Sequence, residues 1–226
     1  MAAVQDGWAT MPLWETALDI KLTPLFLSVI TALAGLASLS SRAQDVPAGQ
    51  ETVRRAIHVC ASCHGEGGRS VTKGVPSLAG QMRQYTVAQL KDFRSQTRAE
   101  AGAQAYMWGV SALLDDDTIS GLADYYAAQA PAPRKPAPGA VLRAGRQVYV
   151  AGAPERGVKA CASCHGDAAE GQAGFPRLAG QRAEYVEAQL KGFGGKLRPH
   201  GVIMQAEARG MTAAERRAVA VYLQSL

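Results

Sequence analysis

The sequence predicts an all-α fold that is built twice in tandem. The string CASCHG occurs at residues 60–65 and again at 161–166, and these copies contain all four cysteines of the 226-residue chain. Apolar residues fall at helical spacing near the end of each half, and no segment shows the alternation typical of a half-buried strand. These observations favour two small helical domains over one large domain.

A proline-rich segment separates the two halves. Residues 130–139 read APAPRKPAPG, and four prolines in ten residues exclude a helix or a central strand. The segment therefore predicts a short, semi-stiff linker. We expect an N-terminal domain at 44–130, the linker at 131–138 and a C-terminal domain at 139–226.

The elements of each half are predicted to follow the same order. A helix leads into CASCHG, a glycine-rich loop follows, and a second helix begins near Tyr85 or Tyr185. A variable loop and a terminal helix complete each half. The negative charge of residues 115–117 suits the start of the first terminal helix, and Thr212 with Glu215 forms a capping box for the other.

The first 43 residues differ from the rest. LTPLFLSVITALAGLASL at 22–39 is uncharged, follows Lys21 and precedes small residues at 41 and 43, a pattern typical of a signal peptide cleaved before Gln44. The alternative is an uncleaved membrane anchor, because the run is near the lower length limit for a bilayer span. Both interpretations predict export. The acidic residues before Lys21 are unusual for such a signal and indicate a mis-assigned start codon.

The charge pattern argues against nucleic-acid binding. Without residues 1–43 the chain has 22 basic and 16 acidic side chains, a net charge of +6. The basic residues are scattered rather than clustered, which is typical of a solvated surface.

The pattern C-x-x-C-H is the attachment motif of c-type haem. Two cysteines three residues apart on a helical turn face the same side and can bond to the two vinyl groups of one haem. The following histidine, His64 or His165, is then placed to bind the iron. The sequence thus predicts two covalent haem c groups, attached at Cys60 and Cys63 and at Cys161 and Cys164.

Two other chemistries use cysteine pairs. Export permits disulfides, but no thioredoxin-like strand pattern surrounds a redox-active dithiol here. Zinc binds cysteine and histidine, yet Cys63 and His64 are adjacent, whereas zinc motifs usually space their ligand pairs.

The chain resembles the dihaem cytochrome c4 family, which has two class I cytochrome c domains in tandem. The resemblance covers nearly all of residues 44–226. It rests on both CASCHG motifs, both P-x-L-A-G-Q-x3-Y-x3-Q-L segments and AGRQVYVAGAPERGVKACASCHG before the second motif. It implies a periplasmic, respiratory electron-transfer protein rather than an enzyme.

The resemblance also implies a methionine as the second axial ligand of each haem iron. Met107 lies seven residues before Leu114, and Met204 lies seven before Met211, which matches the family's register. Core packing is the alternative for any methionine and suits Met211 well. Met82 is a poor ligand candidate because Arg182 occupies its matched position.

Other residues have expected roles around the two sites. The resemblance implies that the carbonyls of Pro76 and Pro176 accept a hydrogen bond from the ligand histidines. His58 and His200 are rival iron ligands, but each is expected on the surface. A further set is expected to pack between helices, with contacts to the sister domain or a haem edge as the alternative: Tyr85, Tyr185, Gln89 and Gln189. Trp108, matched by Gln205, either modifies the haem crevice or simply packs.

Three functions are compatible with two such domains. The first is an electron carrier between a quinol–cytochrome c reductase and a terminal oxidase, soluble or membrane-associated through its N-terminal segment. The second is the electron-accepting subunit of a periplasmic dehydrogenase. The third, a dihaem peroxidase, needs an open iron site, and the matched Met107 and Met204 argue against it.

Overall fold

The structure is a computed structural model that describes residues 48–172 and 174–226. The expected signal peptide or anchor at 1–43 lies outside these residues. The described part of the chain belongs to one compact unit. No helix within it is both long and apolar enough to span a bilayer.

From Ala48 onward, where the described residues begin, four α-helices lie in the N-terminal half. They are α1 (Ala48–His64), α2 (Arg83–Arg94), the short α3 (Trp108–Ser111) and α4 (Asp116–Ala127). A 3₁₀ turn, Glu66–Gly68, follows α1, and a π-helical turn, Ala103–Met107, runs directly into α3.

Five α-helices lie in the described part of the C-terminal half, 139–172 and 174–226. They are α5 (Gly139–Ala151), the short α6 (Ala162–His165), α7 (Ala183–Gly194), α8 (Val202–Gly210) and α9 (Ala213–Gln224). A 3₁₀ turn, Pro154–Arg156, lies between α5 and α6. Extended pairing within the described ranges is limited to two isolated bridges, Ala153 with Val158 and Gln172 with Phe175, so the all-α prediction is confirmed.

The first and last helices of each half pack against one another: α1 on α4 and α5 on α9. A glycine permits each close approach, but it lies on the last helix of the first half and on the first helix of the second half. In the first half it is Gly121 on α4, where a Cβ would lie 2.5 Å from Val53 Cγ2. In the second it is Gly145 on α5, where a Cβ would lie 2.2 Å from the carbonyl oxygen of Ala218. This second contact continues into the core through residues 148–149, 219–220 and 223.

Both terminal helices start as their sequences predict. Asp115 caps α4, since its side chain accepts a hydrogen bond from the amide of Thr118 at 2.7 Å. Thr212 and Glu215 form the reciprocal capping box of α9. These local signals need no tertiary information, which is why the sequence reveals them.

The approach to the second CASCHG differs from the expectation. Helix α1 runs without a break through Cys60 to His64, whereas α5 ends at Ala151 and the second motif begins after a reversal of the chain. Gly152 makes that reversal possible with a φ of 64°, and a Cβ there would lie 2.3 Å from the carbonyl oxygen of Val158. The second motif therefore lies on its own short helix, α6.

The linker has no helix or strand between 131 and 138, as predicted. It is held at two points, because Arg69 donates to the Ala130 carbonyl at its start, at 3.2 Å, and the Lys135 amide near its middle donates to the Gln224 carbonyl at 3.1 Å. Its path follows the junction of the two halves, where Pro131 lies against Gly80 and Ala132 against Gly180.

Candidate haem sites and the domain interface

The four motif cysteines form no disulfide with one another. Burial raises the pKa of Cys60, and it raises that of Cys161 to about 11. Reactive dithiols have lowered pKa values instead, so this environment does not favour the redox-active alternative. Among the described residues no three His, Cys, Asp or Glu side chains converge as a metal cluster.

The two motif histidines have the same hydrogen-bond partner. His64 Nδ1 lies 2.9 Å from the Pro76 carbonyl oxygen, and His165 Nδ1 lies 2.9 Å from that of Pro176. A carbonyl can only accept, so Nδ1 carries the proton and Nε2 keeps its lone pair. Burial lowers the pKa of both rings, against the opposing effect of the proline carbonyl.

The free nitrogen of His165 fits an iron-binding role. Its Nε2 is buried and has no hydrogen-bond partner among the described residues. An orphaned buried imidazole nitrogen costs free energy unless a metal or another group binds it. The adjacent backbone is fixed, because the buried Tyr149 hydroxyl donates to the Gly166 carbonyl at 2.5 Å. The residues of the second motif therefore fit a haem bound through cysteine and histidine.

The two candidate methionines lie on helical segments in the later part of each half. Met107 ends the π-helical turn, a feature often found at functional sites, and its carbonyl accepts from Ser111 at 2.6 Å. Met204 lies on α8, half-buried against the core of the second domain.

The rejected candidates have the environments expected of them. Met211 is 7% exposed within the core, which agrees with a packing role. Met82 precedes α2 as its N-cap. His58 and His200 are exposed, and His200 contacts Asp92 of the other domain at 2.7 Å rather than an interior site.

Two glutamines join the domains by a reciprocal exchange of hydrogen bonds. The Gln181 side chain accepts from the Ser77 amide at 2.8 Å and donates to the Ser77 carbonyl at 2.9 Å. Gln81 makes the matching pair with Arg177, at 2.8 and 3.0 Å. Each glutamine thus binds the backbone immediately after the proline that contacts the other domain's histidine.

A second exchange involves two buried arginines. Arg98 donates to Tyr185 at 3.1 Å and to Gln189 at 2.7 Å, both in the other domain. Arg198 donates to the Tyr85 hydroxyl at 3.1 Å and also to Gln89. We call these two arginines the arginine pair. Each also stacks on a phenylalanine of its own domain, Phe93 or Phe193.

This geometry corrects the preferred interpretation of the tyrosines and glutamines. We expected Tyr85, Tyr185, Gln89 and Gln189 to pack between helices, but they bind the arginine of the sister domain. Sequence reasoning did not identify the arginine pair. The available signal was their occurrence exactly one hundred positions apart in otherwise dissimilar loops.

One carboxylate lies inside this cluster. Glu100 contacts Arg98 Nε at 2.9 and 3.1 Å and lies 3.8 Å from Arg198 Nε. The side chains of Arg98, Arg198 and Glu100 are 5%, 6% and 12% exposed. The pKa of Arg98 is raised despite its burial, because anionic and phenolic groups surround it, so the guanidinium keeps its charge.

The unlike residues after the two methionines make the same contact. Trp108 Nε1 donates to the Arg98 carbonyl at 2.8 Å, and Gln205 Nε2 donates to the Arg198 carbonyl at 3.0 Å. Each therefore ties the methionine segment to the loop that carries the interface arginine.

Comparison with known proteins identifies the two halves. The family model for cytochrome c matches residues 48–127 and 142–226. Cytochrome c-552 of Acidithiobacillus ferridurans is 37% identical over 90% of this chain and 87% of its own length. Cytochrome c4 of Thiocapsa roseopersicina is 39% identical over 76% and 89% of the two chains. The thiosulfate dehydrogenase electron acceptor of Thiomonas intermedia is 38% identical over 73% and 76%.

A solved structure extends the match to three dimensions. The cytochrome c4 of Acidithiobacillus ferrooxidans superposes with a TM-score of 0.69 at 38% identity, covering 74% of this chain and 98% of the other. The relatives of the present chain transfer or accept electrons, and its doubled motif fits two covalent haem c groups. The chain is therefore a member of the dihaem cytochrome c4 family, an electron-transfer protein with two tandem cytochrome c domains joined by a proline-rich linker.

Proposed function

We propose that this protein is a periplasmic relay that takes electrons from a quinol-oxidising complex at one domain and delivers them to a terminal oxidase from the other. The observation that carries the proposal is the domain interface. Two reciprocal sets of hydrogen bonds cross it. Gln81 and Gln181 bind the backbone after each proline that contacts a motif histidine, and the arginine pair binds tyrosine and glutamine side chains on α2 or α7 of the opposite domain. The domains are 44–130 and 139–226, and the signal-like segment at 1–43 supports export.

Each domain would hold one haem through residues of its own. The covalent attachments are assigned to Cys60 and Cys63 in the first domain and to Cys161 and Cys164 in the second. The axial ligands are His64 with Met107, and His165 with Met204. The hydrogen bonds from the histidines to Pro76 and Pro176 support this set, as does the orphaned Nε2 of His165.

The bound groups supply reversible one-electron oxidation and reduction, and the protein provides the surroundings for that exchange. The proline carbonyls hold the imidazole rings in one tautomer and orientation. Neutral thioether ligands favour the reduced state and raise the potential. The buried interface lets an electron cross between domains without exposing either site to a substrate.

The residue assignments are tested by mass spectrometry. Tryptic peptides spanning 60–64 and 161–165 should each retain one haem after acid–acetone extraction of the protein. Replacing Cys60 and Cys63 together with serine should remove one haem and leave the second-domain peptide unchanged. Retention of both haems in that variant would contradict the assignment.

The direction of supply is tested by reduction kinetics. Membranes supplied with quinol should reduce the purified protein rapidly. A specific inhibitor of the quinol-oxidising complex should stop this reduction. Reduced protein should then be reoxidised by oxidase-containing membranes. Reduction that proceeds unchanged in the presence of the inhibitor would exclude this donor.

A second candidate function has a specific observation behind it. The 38% identical relative from Thiomonas intermedia is named as the electron acceptor of thiosulfate dehydrogenase. In this candidate the same domains accept electrons from a periplasmic dehydrogenase. Reduction of the protein by thiosulfate plus purified dehydrogenase, faster than by quinol and membranes, would favour it.

A further inference from the structure

Each motif histidine is connected to the opposite domain through a single peptide group. The Pro76–Ser77 peptide accepts from His64 Nδ1 at its carbonyl, at 2.9 Å, and donates from its amide to Gln181 Oε1, at 2.8 Å. The carbonyl and the amide belong to one planar, conjugated unit. The three groups therefore form one hydrogen-bonded chain that crosses the domain interface.

The second domain contains the same chain in the reverse direction. The Pro176–Arg177 peptide accepts from His165 Nδ1 at 2.9 Å and donates to Gln81 Oε1 at 2.8 Å. Each histidine is thus linked to a glutamine of the sister domain rather than to one of its own.

The glutamines are held firmly for this role. Gln81 Oε1 also accepts from the Met82 amide at 2.8 Å, and Gln181 Oε1 accepts from the Arg182 amide at 2.9 Å. Both side chains are buried, at 8% and 7% exposure, and Ser77 is 7% exposed. Buried hydrogen bonds in series polarise one another, because little solvent is present to screen them.

We propose that Gln181 and Gln81 are positioning residues that tune the haem of the opposite domain through these peptides. A glutamine that accepts from the amide makes the proline carbonyl a stronger acceptor. That carbonyl in turn draws on the Nδ1 proton and makes the imidazole a stronger electron donor to iron. A stronger donor stabilises the oxidised state, so each glutamine lowers the potential of the site across the interface.

These two chains link the potentials of both sites to the docking of the domains. Separation of the domains would remove both glutamines at once and raise both potentials. Docking therefore changes the redox properties of each site and does more than bring the two sites together. No bond breaks and no proton moves in this effect; in each transfer one electron leaves the reduced site and the same electron arrives at the oxidised site.

The test replaces Gln181 with methionine, which has similar length but cannot accept from the Ser77 amide. The first-domain potential should rise, with its ferric-to-ferrous ratio at fixed potential falling about threefold, equivalent to about 28 mV for one electron. The second-domain potential should change much less. Gln81→Met should give the crossed result, raising the second-domain potential. Redox titration with NMR assignment of each haem's methyl signals distinguishes the two sites.

Gln189→Met is the matched control. Gln189 lies at the same interface and binds both arginines, but it does not contact a proline peptide. Its loss weakens the interface without interrupting either chain, so it should produce no crossed shift. Equal shifts of both potentials in all three variants would show that the glutamines act only by holding the domains together, and would overturn the inference.

A measurement on the unmodified protein guards against a variant that does not fold. The Ser77 amide nitrogen and the Gln181 side-chain carbonyl should show NMR coupling through their hydrogen bond, as should Arg177 and Gln81. Absence of both couplings would also overturn the inference. The inference rests on the proposed ligation by His64 and His165, which haem retention and the optical spectrum test without reference to either potential.

Discussion

The two domains share their motifs but differ in charge at the surface where they meet. In the first domain Glu100 is folded into the arginine pair, and Gly192 of the second domain leaves room for it, since a Cβ there would lie 3.2 Å from Glu100 Cγ. At the matched positions of the other half, His200 is exposed and contacts Asp92. The contact of Glu100 with Gly192 therefore differs from the matched contact of His200 with Asp92. The interface is otherwise nearly symmetric, but it has a buried carboxylate on one side only.

This difference teaches how duplicated domains can acquire unequal roles. Two sets of hydrogen bonds across the interface are paired, from Gln81 with Gln181 and from Arg98 with Arg198, so these sets hold both domains alike. The charges are not paired. Symmetric contacts provide docking, and Glu100, which has no acidic counterpart at the matched position of the second domain, provides a basis for a difference between the two sites.

The largest expected effect concerns Met107 and Met204, the proposed axial ligands of the two domains. Met107→Ala should remove about half of the weak red charge-transfer band of the ferric protein and lower the first-domain potential, because a soft ligand is lost. Met204→Ala should do the same for the second domain. Optical redox titration measures both effects. A variant with an unchanged band and unchanged potentials would reduce that methionine to a packing role.

The next effect compares the two helix crossings. Gly145→Ala places a methyl group against the Ala218 backbone, which cannot rotate away, so it should lower the free energy of unfolding by about 1–3 kcal/mol. Gly121→Ala meets only the side chain of Val53, and the better helix propensity of alanine offsets up to about 1 kcal/mol. Chemical denaturation of both variants should rank Gly145→Ala as the more damaging. The reverse order would contradict this view of the crossings.

A smaller effect tests the charge asymmetry itself. Glu100→Gln keeps an acceptor for Arg98 but removes the negative charge, so the first-domain potential should rise relative to the second. The direction follows because Glu100 belongs to the first domain, and loss of a negative charge disfavours the more positive, oxidised state of a nearby site. Asp92→Asn, at the partly exposed contact with His200, is the control and should change the separation of potentials less, since solvent screens its charge. An equal change in both variants would remove the special status of Glu100.

The smallest effect concerns the caps of the terminal helices. The hydrogen bond from Thr118 lowers the pKa of Asp115, so its contribution to stability is present above its unfolded pKa and is lost as the pH falls through the lowered folded value. Asp115→Asn keeps the cap but cannot titrate. Its stability should therefore fall less steeply below about pH 4 than that of the parent protein. Parallel denaturation curves for the two proteins across this range would contradict the assignment.

Sequence reasoning succeeded where a local pattern decides the structure. The caps at Asp115 and Thr212, the proline-rich linker and the doubled motif are all readable within a few residues. It failed at the helix before the second motif, where Gly152 reverses the chain, because the similarity of the two halves outweighed a local helix-stop signal, Gly152 followed by Pro154.

The interface was the least predictable part of the molecule. Gln81 and Gln181 were visible as matched residues, yet their bonds to Arg177 and Ser77 depend on how the domains dock. Arg98 and Arg198 resemble ordinary surface arginines in the sequence. Periodicity identifies which face of a helix is apolar, but it does not reveal which polar residues a second domain will bury.

The central claim is that the two domains form one relay, and internal electron transfer tests it most directly. One haem would be reduced by a short pulse, and the redistribution of the electron between domains followed optically at several protein concentrations. The docked interface predicts equilibration that is independent of concentration and much faster than exchange between molecules. Equilibration whose rate increases in proportion to protein concentration would contradict the claim, since electrons would then pass only between separate molecules.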